Sequence, residues 1–246
     1  MKNDLDLGTL EQLITGIDRE KNPAKWAQLM NLKGVVLSNL NEFKAAEKAF
    51  MEAMKGADTL LKSKIFINSA KLYFLGKNTS RALEIIGKLF ETAKEDRKFP
   101  RELLGYAHLL RGQIYNVIKD EKQALGEFRK AEYYFEDAAN PLGVGLACLE
   151  IARTHIKKES MQTAWNFLKK SEMFLSRLGV EEKLGVYVCK AVALYYQGDE
   201  QGALKLLEEV YHERSDMGRG LHTVDEIIDA YLDTRSRMLQ YQKALI

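Results

Sequence analysis

The sequence predicts an all-α protein built from stacked helical hairpins, and three observations carry that prediction. Only three of the 246 residues are proline (Pro23, Pro100, Pro141), while 46% are hydrophobic and 29% charged, a balance that suits helices with one apolar face. Apolar residues recur three and four apart along most of the chain. Third, small and aromatic residues recur in one register: within Leu110–Glu136 they are Gly112, Tyr115, Ala124, Phe128 and Ala131. Small residues suit points where two helix backbones approach closely, and aromatics fill the space beside them.

The elements follow in order. Residues 8–20 read as a short amphipathic helix with Leu10, Leu13, Ile14 and Ile17 on one stripe, and Thr9 with Gln12 reads as a capping box. Asn22-Pro23, a cap followed by a first-turn proline, restarts the chain. Helices then come in pairs. The first pair is 23–40 and 42–55, broken at Asn41 and ended by Gly56, and the second is 58–75 and 80–95, broken by Gly76 to Thr79. Pro100 opens the third, 100–118 and 121–137, broken at Lys119-Asp120. Asn140-Pro141 opens the fourth, 141–157 and 161–178, with Ser160 as N-cap and Gly179 just past its end. The fifth is 181–197 and 200–214, broken at Gly198-Asp199. After a loop from Ser215 to Gly220, Thr223 with Glu226 caps a last helix that runs towards the C-terminus. The expected organisation is an N-terminal capping helix (1–22), five repeats (23–56, 58–95, 100–137, 141–178, 181–214) and a loop with a C-terminal capping helix (215–246).

One register runs through all five pairs. The alanines that begin the buried face of each second helix are Ala46, Ala82, Ala124, Ala164 and Ala203, spaced by 36, 42, 40 and 39. Twelve residues before each stands Gly34, Ala70, Gly112, Ala152 or Ala191, and three after that Leu37, Tyr73, Tyr115, His155 or Leu194. Four residues after each alanine stands Phe50, Ile86, Phe128, Leu168 or Leu207. This pattern resembles the tetratricopeptide repeat, with small residues at its eighth, twentieth and twenty-seventh positions. Ala53, Ala131 and Ser171 keep the last of these small, while Leu89 and Val210 depart from it. The spacing exceeds the family's usual length of about 34 residues, which resembles the longer-repeat branch of bacterial regulators and scaffolds. The resemblance covers residues 24–214. It implies a right-handed superhelical solenoid, with first helices lining a concave groove and second helices outside.

That register nominates the groove. Residues three before and one and four after each small residue face inward: Asn31, Val35 and Ser38; Ile67, Lys71 and Phe74; Leu109, Gln113 and Asn116; Leu149, Arg153 and Ile156; Val188, Val192 and Tyr195, with Asn39, Lys157 and Tyr196 beside them. Amides hold the backbone of an extended peptide, Lys71, Arg153 and Lys157 hold carboxylates, and Phe74, Tyr195 and Tyr196 give apolar anchors. The expected ligand is a peptide or helix of a partner protein, with some acidic character. Val35 stands where some tetratricopeptide proteins carry the first asparagine of a carboxylate clamp, which argues against a clamp of that kind. In the C-terminal helix, Leu221, Val224, Ile228, Tyr231, Arg235, Met238, Gln242 and Leu245 step by threes and fours as a heptad seam. Met238, Leu239, Tyr241 and Leu245 are the candidate contacts for a partner chain or a second copy, as a homodimer.

Other chemistry is weighed and set aside. The formal charge of +2, from 37 basic and 35 acidic residues, is near neutral and unclustered, which disfavours nucleic acid. Cys148 and Cys189 sit in apolar helical stretches and read as reduced core residues. With no apolar run of signal or membrane-spanning kind, the expected location is cytoplasmic, without membrane insertion. The histidines (His108, His155, His212, His222) make no zinc spacing, and Glu208 with His212 reads as a surface contact. No phosphate-binding glycine loop or nucleophile elbow is present, and no carboxylate pair stands in an apolar setting that would perturb its pKa. The expectation is a non-enzymatic scaffold without cofactor or metal. The alternatives are an intracellular regulator sensing a short signalling peptide, against which residues 1–22 are too short for a DNA-binding head, and a homo-oligomeric assembly protein using its C-terminal helix.

Overall fold

The computed structural model describes residues 7–176 and 180–215, with side chains described over 7–176 and 185–209. Eleven helices and no strand are found among these: α1 (Leu7–Thr15), α2 (Pro23–Asn39), α3 (Phe43–Met54), α4 (Thr59–Leu75), α5 (Thr79–Glu95), α6 (Arg101–Val117), α7 (Glu121–Asp137), α8 (Pro141–Lys157), α9 (Met161–Leu175), α10 (Val180–Tyr196) and α11 (Glu200–Ser215). Gly179 and the segment holding Thr223, Glu226 and the heptad seam lie outside the described residues.

The same device ends every first helix of a pair. Asn41, Lys77, Lys119, Glu159 and Gly198 all have positive φ, between 57° and 86°. Each stands five residues before the repeat alanine. The next amide reaches back into the helix: Glu42 to Leu37 O, Asn78 to Tyr73 O, Asp120 to Tyr115 O, Ser160 to His155 O and Asp199 to Leu194 O, at 2.8–3.0 Å. The left-handed residue itself donates to Ser38, Phe74, Asn116, Ile156 or Tyr195. This is the Schellman arrangement, which satisfies carbonyls that the helix end would leave unpaired. Second helices begin on side-chain caps where Asp or Asn is available. Asn78 Oδ1 accepts from the Arg81 amide at 3.1 Å, and Asp199 Oδ1 from that of Gly202 at 2.9 Å. Ser160 stands at an N-cap position but makes no such bond; its hydroxyl lies 3.5 Å from Lys158 O.

The first helix departs from the sequence expectation. It ends at Thr15 because Asp18 Oδ1 accepts from the amides of Glu20 and Lys21, at 3.0 and 3.3 Å, and turns the chain. Thr9 lies inside α1 and is no N-cap. Of its expected apolar stripe Leu10 is buried, whereas Leu13 is 47% exposed.

The chain divides into two compact units, residues 1–127 and 128–246, with the division inside α7. In the first unit α2 pairs with α3 and α4 with α5, α1 packs on α2, α3 on α4 and α5 on α6. The first helices α2, α4 and α6 also lie side by side. Ala27, Leu37, Ala46, Ala53 and Phe50 form one core with Ile65 and Leu72. A Cβ on Gly34 would stand 2.5 Å from the Phe50 ring, so α2 sits on α3 at a distance only glycine permits.

In the second unit α8 pairs with α9, α10 with α11, and α10 packs on both α8 and α9. Phe128, Ala131 and Phe135 are fully buried, and burying a phenylalanine contributes roughly 1.5–3 kcal/mol. A Cβ on Gly143 would meet the Phe135 ring at 2.2 Å. Lys170 on α9 bridges Glu132 and Glu136 on α7 at 2.5 and 2.9 Å. Lys190 on α10 reaches Glu172 on α9 at 2.6 Å. Both cysteines are free and buried, and burial, with Glu132 adding to it at Cys148, pushes both thiols above the ordinary range.

Candidate functional site

In the first unit the candidate surface is carried by α2, α4 and α6. The contact of α2 with α4 is polar where Asn68 Nδ2 donates to Asn31 Oδ1 at 3.0 Å. That bond uses one donor and one acceptor of two carboxamides, which leaves the pair further capacity for a peptide backbone. Lys71 is exposed one turn beyond Asn68, and Phe74 is half-buried beside it. Val35 is half-buried against the core, and Gln113 and Asn116 are half-buried on α6. Other residues of the inward register are not surface. Leu109 is buried, and buried Ser38 donates to Gly34 O at 2.7 Å. Their helix faces are taken up by neighbouring helices, so a position that suits a groove serves packing.

In the second unit the surface is carried by α8 and α10. Lys157 and Tyr196 are exposed, and Tyr195 is half-buried with its ring 6.2 Å from that of Tyr196, edge to face. Leu149 and Ile156 are buried in the core rather than available to a ligand. Arg153 is already engaged: Nη1 donates to Glu150 at 3.1 Å and Nε to the Cys189 sulfur at 3.2 Å. Its role as an uncommitted carboxylate holder is therefore not met in this structure, because α10 brings a thiol, and α8 a carboxylate, to the guanidinium. Met238, Leu239, Tyr241 and Leu245 lie outside the described residues.

The structure also brings together a charged cluster that the sequence reading passed over. Glu127 on α7 is buried, meets His108 Nδ1 at 2.7 Å and accepts from Arg111 Nε at 2.6 Å. Arg111 lies over the Phe90 ring, 4.3 Å from its centroid, and that ring also faces His108. Burial pushes the carboxyl up, but hydrogen bonds from His108 and Arg111, with their charges, outweigh it and hold its pKa at about 2. The sequence expectation concerned carboxylate pairs in apolar settings; Glu127 is a single carboxylate, shifted by the partners that another helix brings to it. The available signal was Glu127 standing beside Phe128 on the buried face of α7; its partners come from α6 and were not marked by spacing. With His108 and Glu127 both buried, the cluster ties helices together instead of facing a substrate.

His155 is the second such residue. It stacks on Phe167, centroids 6.2 Å apart and planes 8° from parallel, which agrees with its place at an aromatic position of the repeat. Both ring nitrogens are buried without a hydrogen-bond partner. Burial, then the charges of Arg129 and Lys158, lowers its pKa. Among the described residues no group of three or more His, Cys, Asp or Glu is placed to hold a metal ion. No described helix is long and apolar enough to cross a membrane.

No family model matches the chain. No curated protein matches it. Solved structures do. BtubC (BKLC) from P. vanneervenii superposes with a TM-score of 0.68 at 13% identity, covering 88% of this chain and 90% of that one. A putative kinesin light chain of Podosopora anserina, with nearly identical TPR-like repeats, superposes at 0.59 and 15% identity over 81% and 99%. Aspartyl phosphate phosphatase F from Bacillus subtilis superposes at 0.63 and 17% identity over 91% of this chain; the chain spans 65% of that protein. At such identities the likeness concerns the fold alone. The register of small residues, the paired helices and these superpositions agree: by fold, the chain is a tetratricopeptide-repeat-like protein.

Proposed function

We propose that this chain is a docking protein with no chemistry of its own, which holds a segment of another protein against the faces of its first helices. The observation that carries this reading is the α2–α4 surface, where the Asn31–Asn68 amide pair, exposed Lys71 and half-buried Phe74 lie on adjacent helices. Backbone-bonding amides, a cation and an apolar anchor together suit a peptide with acidic character. Lys157, Tyr195 and Tyr196 offer a cation and aromatic anchors, without the amide pair, on the second unit.

The test is affinity capture with the tagged chain as bait, followed by charge reversal. Lys71→Glu with Phe74→Ala is expected to release the partner while leaving the melting temperature within a few degrees of the parent. Arg153→Glu is a poor probe, because it would disturb the contacts with Glu150 and Cys189. A partner that stays bound to both Lys71→Glu/Phe74→Ala and Lys157→Glu/Tyr196→Ala overturns the first-helix reading. A captured ligand that is a short free peptide instead of a protein segment would move the function to peptide sensing at the same face.

A further inference from the structure

We propose that the exposed face of α4 in one copy of the chain docks the acidic segment Leu221–Asp233 of a second copy. The proposal rests on the function proposed above and names an occupant for the same face. Along α4, Leu60, Lys64, Asn68, Lys71 and Leu75 follow at steps of four, four, three and four, which places them on one stripe of the helix. All are exposed except Asn68, which is half-buried where it meets Asn31. The two leucines stand at the ends of the stripe, 45% and 42% exposed, with the two lysines between them. The stripe holds no carboxylate, and neither α2 nor α4 contains an acidic residue. The two helices together carry five lysines. Lys33 is held by Glu11, and Asp58 caps the start of α4. Four lysines against Asp58 leave a surplus of three positive charges. On α6, beside them, Glu102 is the one acidic residue, and Arg101 precedes it.

The chain supplies the complement to this stripe. From Leu221 to Asp233 the sequence holds Asp225, Glu226, Asp229 and Asp233 and no lysine or arginine. In the helix that the sequence predicts there, Leu221, Asp225, Asp229 and Leu232 follow at steps of four, four and three. Two leucines again stand outermost, now with two carboxylates between them. Lys64 and Lys71 lie about 10.5 Å apart along their helix axis, and a four-residue separation such as that of Asp225 and Asp229 covers about 6 Å. The long, flexible lysine stems take up the difference. Opposite charges in the middle and apolar side chains at both ends give the contact its complementarity. Five residues link α11 to Leu221, and they span at most about 18 Å. In a solenoid each repeat touches only its neighbours. α4 belongs to the second repeat and α11 to the fifth, which assigns the segment to the α4 face of another copy. Exchange in both directions closes the pair into a two-fold dimer. The segment then occupies the docking face until a partner displaces it.

The test is sedimentation velocity of the full chain over a roughly 100-fold range of concentration. The parent is expected to pass from monomer to dimer, and added salt to weaken the dimer. Lys64→Glu/Lys71→Glu and Asp225→Lys/Asp229→Lys should each weaken association at least 10-fold. An equal mixture of these two variants should regain the parent's association, because both exchanged contacts again pair opposite charges. Circular dichroism checks that each variant is folded, and Lys64→Gln/Lys71→Gln, which only removes charge, serves if the face reversal does not fold. The proposal is overturned if the parent stays monomeric, if either folded variant associates like the parent, or if the mixture of folded variants stays monomeric. A monomeric parent that still captures a partner released by Lys71→Glu/Phe74→Ala overturns the contact between copies and leaves the docking function standing.

Discussion

Arg111 Nε donates to the buried Glu127 carboxylate at 2.6 Å, and His108 meets the same oxygen at 2.7 Å. Against the ordinary value of 4.5, the pKa of about 2 means that the unfolded chain takes up the proton first as pH falls. The contribution is fully present above pH 4.5 and is lost between there and about 2. It amounts to about 3 kcal/mol, given a 5% exposed side chain. Glu127→Gln should destabilise the protein by about 3 kcal/mol at pH 7, by leaving buried donors poorly paired. It should also flatten the acid limb of a urea-midpoint profile. A variant with the parent's full loss of stability between pH 4.5 and 2 would show that another carboxylate is responsible.

Glycine-to-alanine substitutions should take opposite signs at two helical positions. Gly34→Ala drives a methyl into the Phe50 ring and should cost about 1–3 kcal/mol. Gly87→Ala, on α5 with nothing within 4 Å, should gain up to about 1 kcal/mol from helix propensity. Chemical denaturation of the two variants reads the difference. The Phe50→Leu background should remove most of the Gly34→Ala cost, and a full cost in that background would contradict the close-approach argument.

The left-handed turn residues offer a second pair of opposite signs. Lys119 and Glu159 hold φ of 65° and 57°, a conformation that costs a side-chain-bearing residue roughly 1 kcal/mol. Lys119→Gly and Glu159→Gly should each stabilise by about 0.5 kcal/mol after the entropy of the unfolded glycine is deducted. Gly198→Ala, at φ 86° with open space around it, should lose about 1 kcal/mol through backbone strain alone. Thermal melts that ranked these variants by helix propensity instead would refute the αL assignment.

His155 predicts a pH dependence near neutrality. Its folded pKa lies below the ordinary 6.5, chiefly through burial. The unfolded chain therefore binds the proton more readily, and stability declines as pH falls below about 6.5. His155→Phe keeps an aromatic ring against Phe167 and removes the titration, so it should be relatively more stable at pH 5 than at pH 8. Its NMR-monitored imidazole titration in the parent protein should fall below 6.5; a normal or raised value would rule out the buried neutral form.

Much of the architecture is written into short-range pattern. Ala46, Ala82, Ala124, Ala164 and Ala203 are all buried, and the turn residues that precede them by five share one backbone conformation. A residue needs only its own helix to tell which side is apolar, so periodicity reads the helices and their pairing. The N-terminal helix was misjudged because a polar group outside the pattern, Asp18, captured backbone amides and ended the element early.

The polar surface was less legible. Register assigned Leu109, Leu149 and Ile156 to a groove, and all three are buried. Arg153, read as a ligand holder, meets Cys189 from the helix 36 positions on. Glu127, which no sequence motif marked, meets His108 and Arg111. The repeat spacing determines which face of each helix turns inward, because that depends on 3.6 residues per turn and on residue size. Which charge meets which partner is decided by the packing of neighbouring helices, since residues tens of positions apart become neighbours only there.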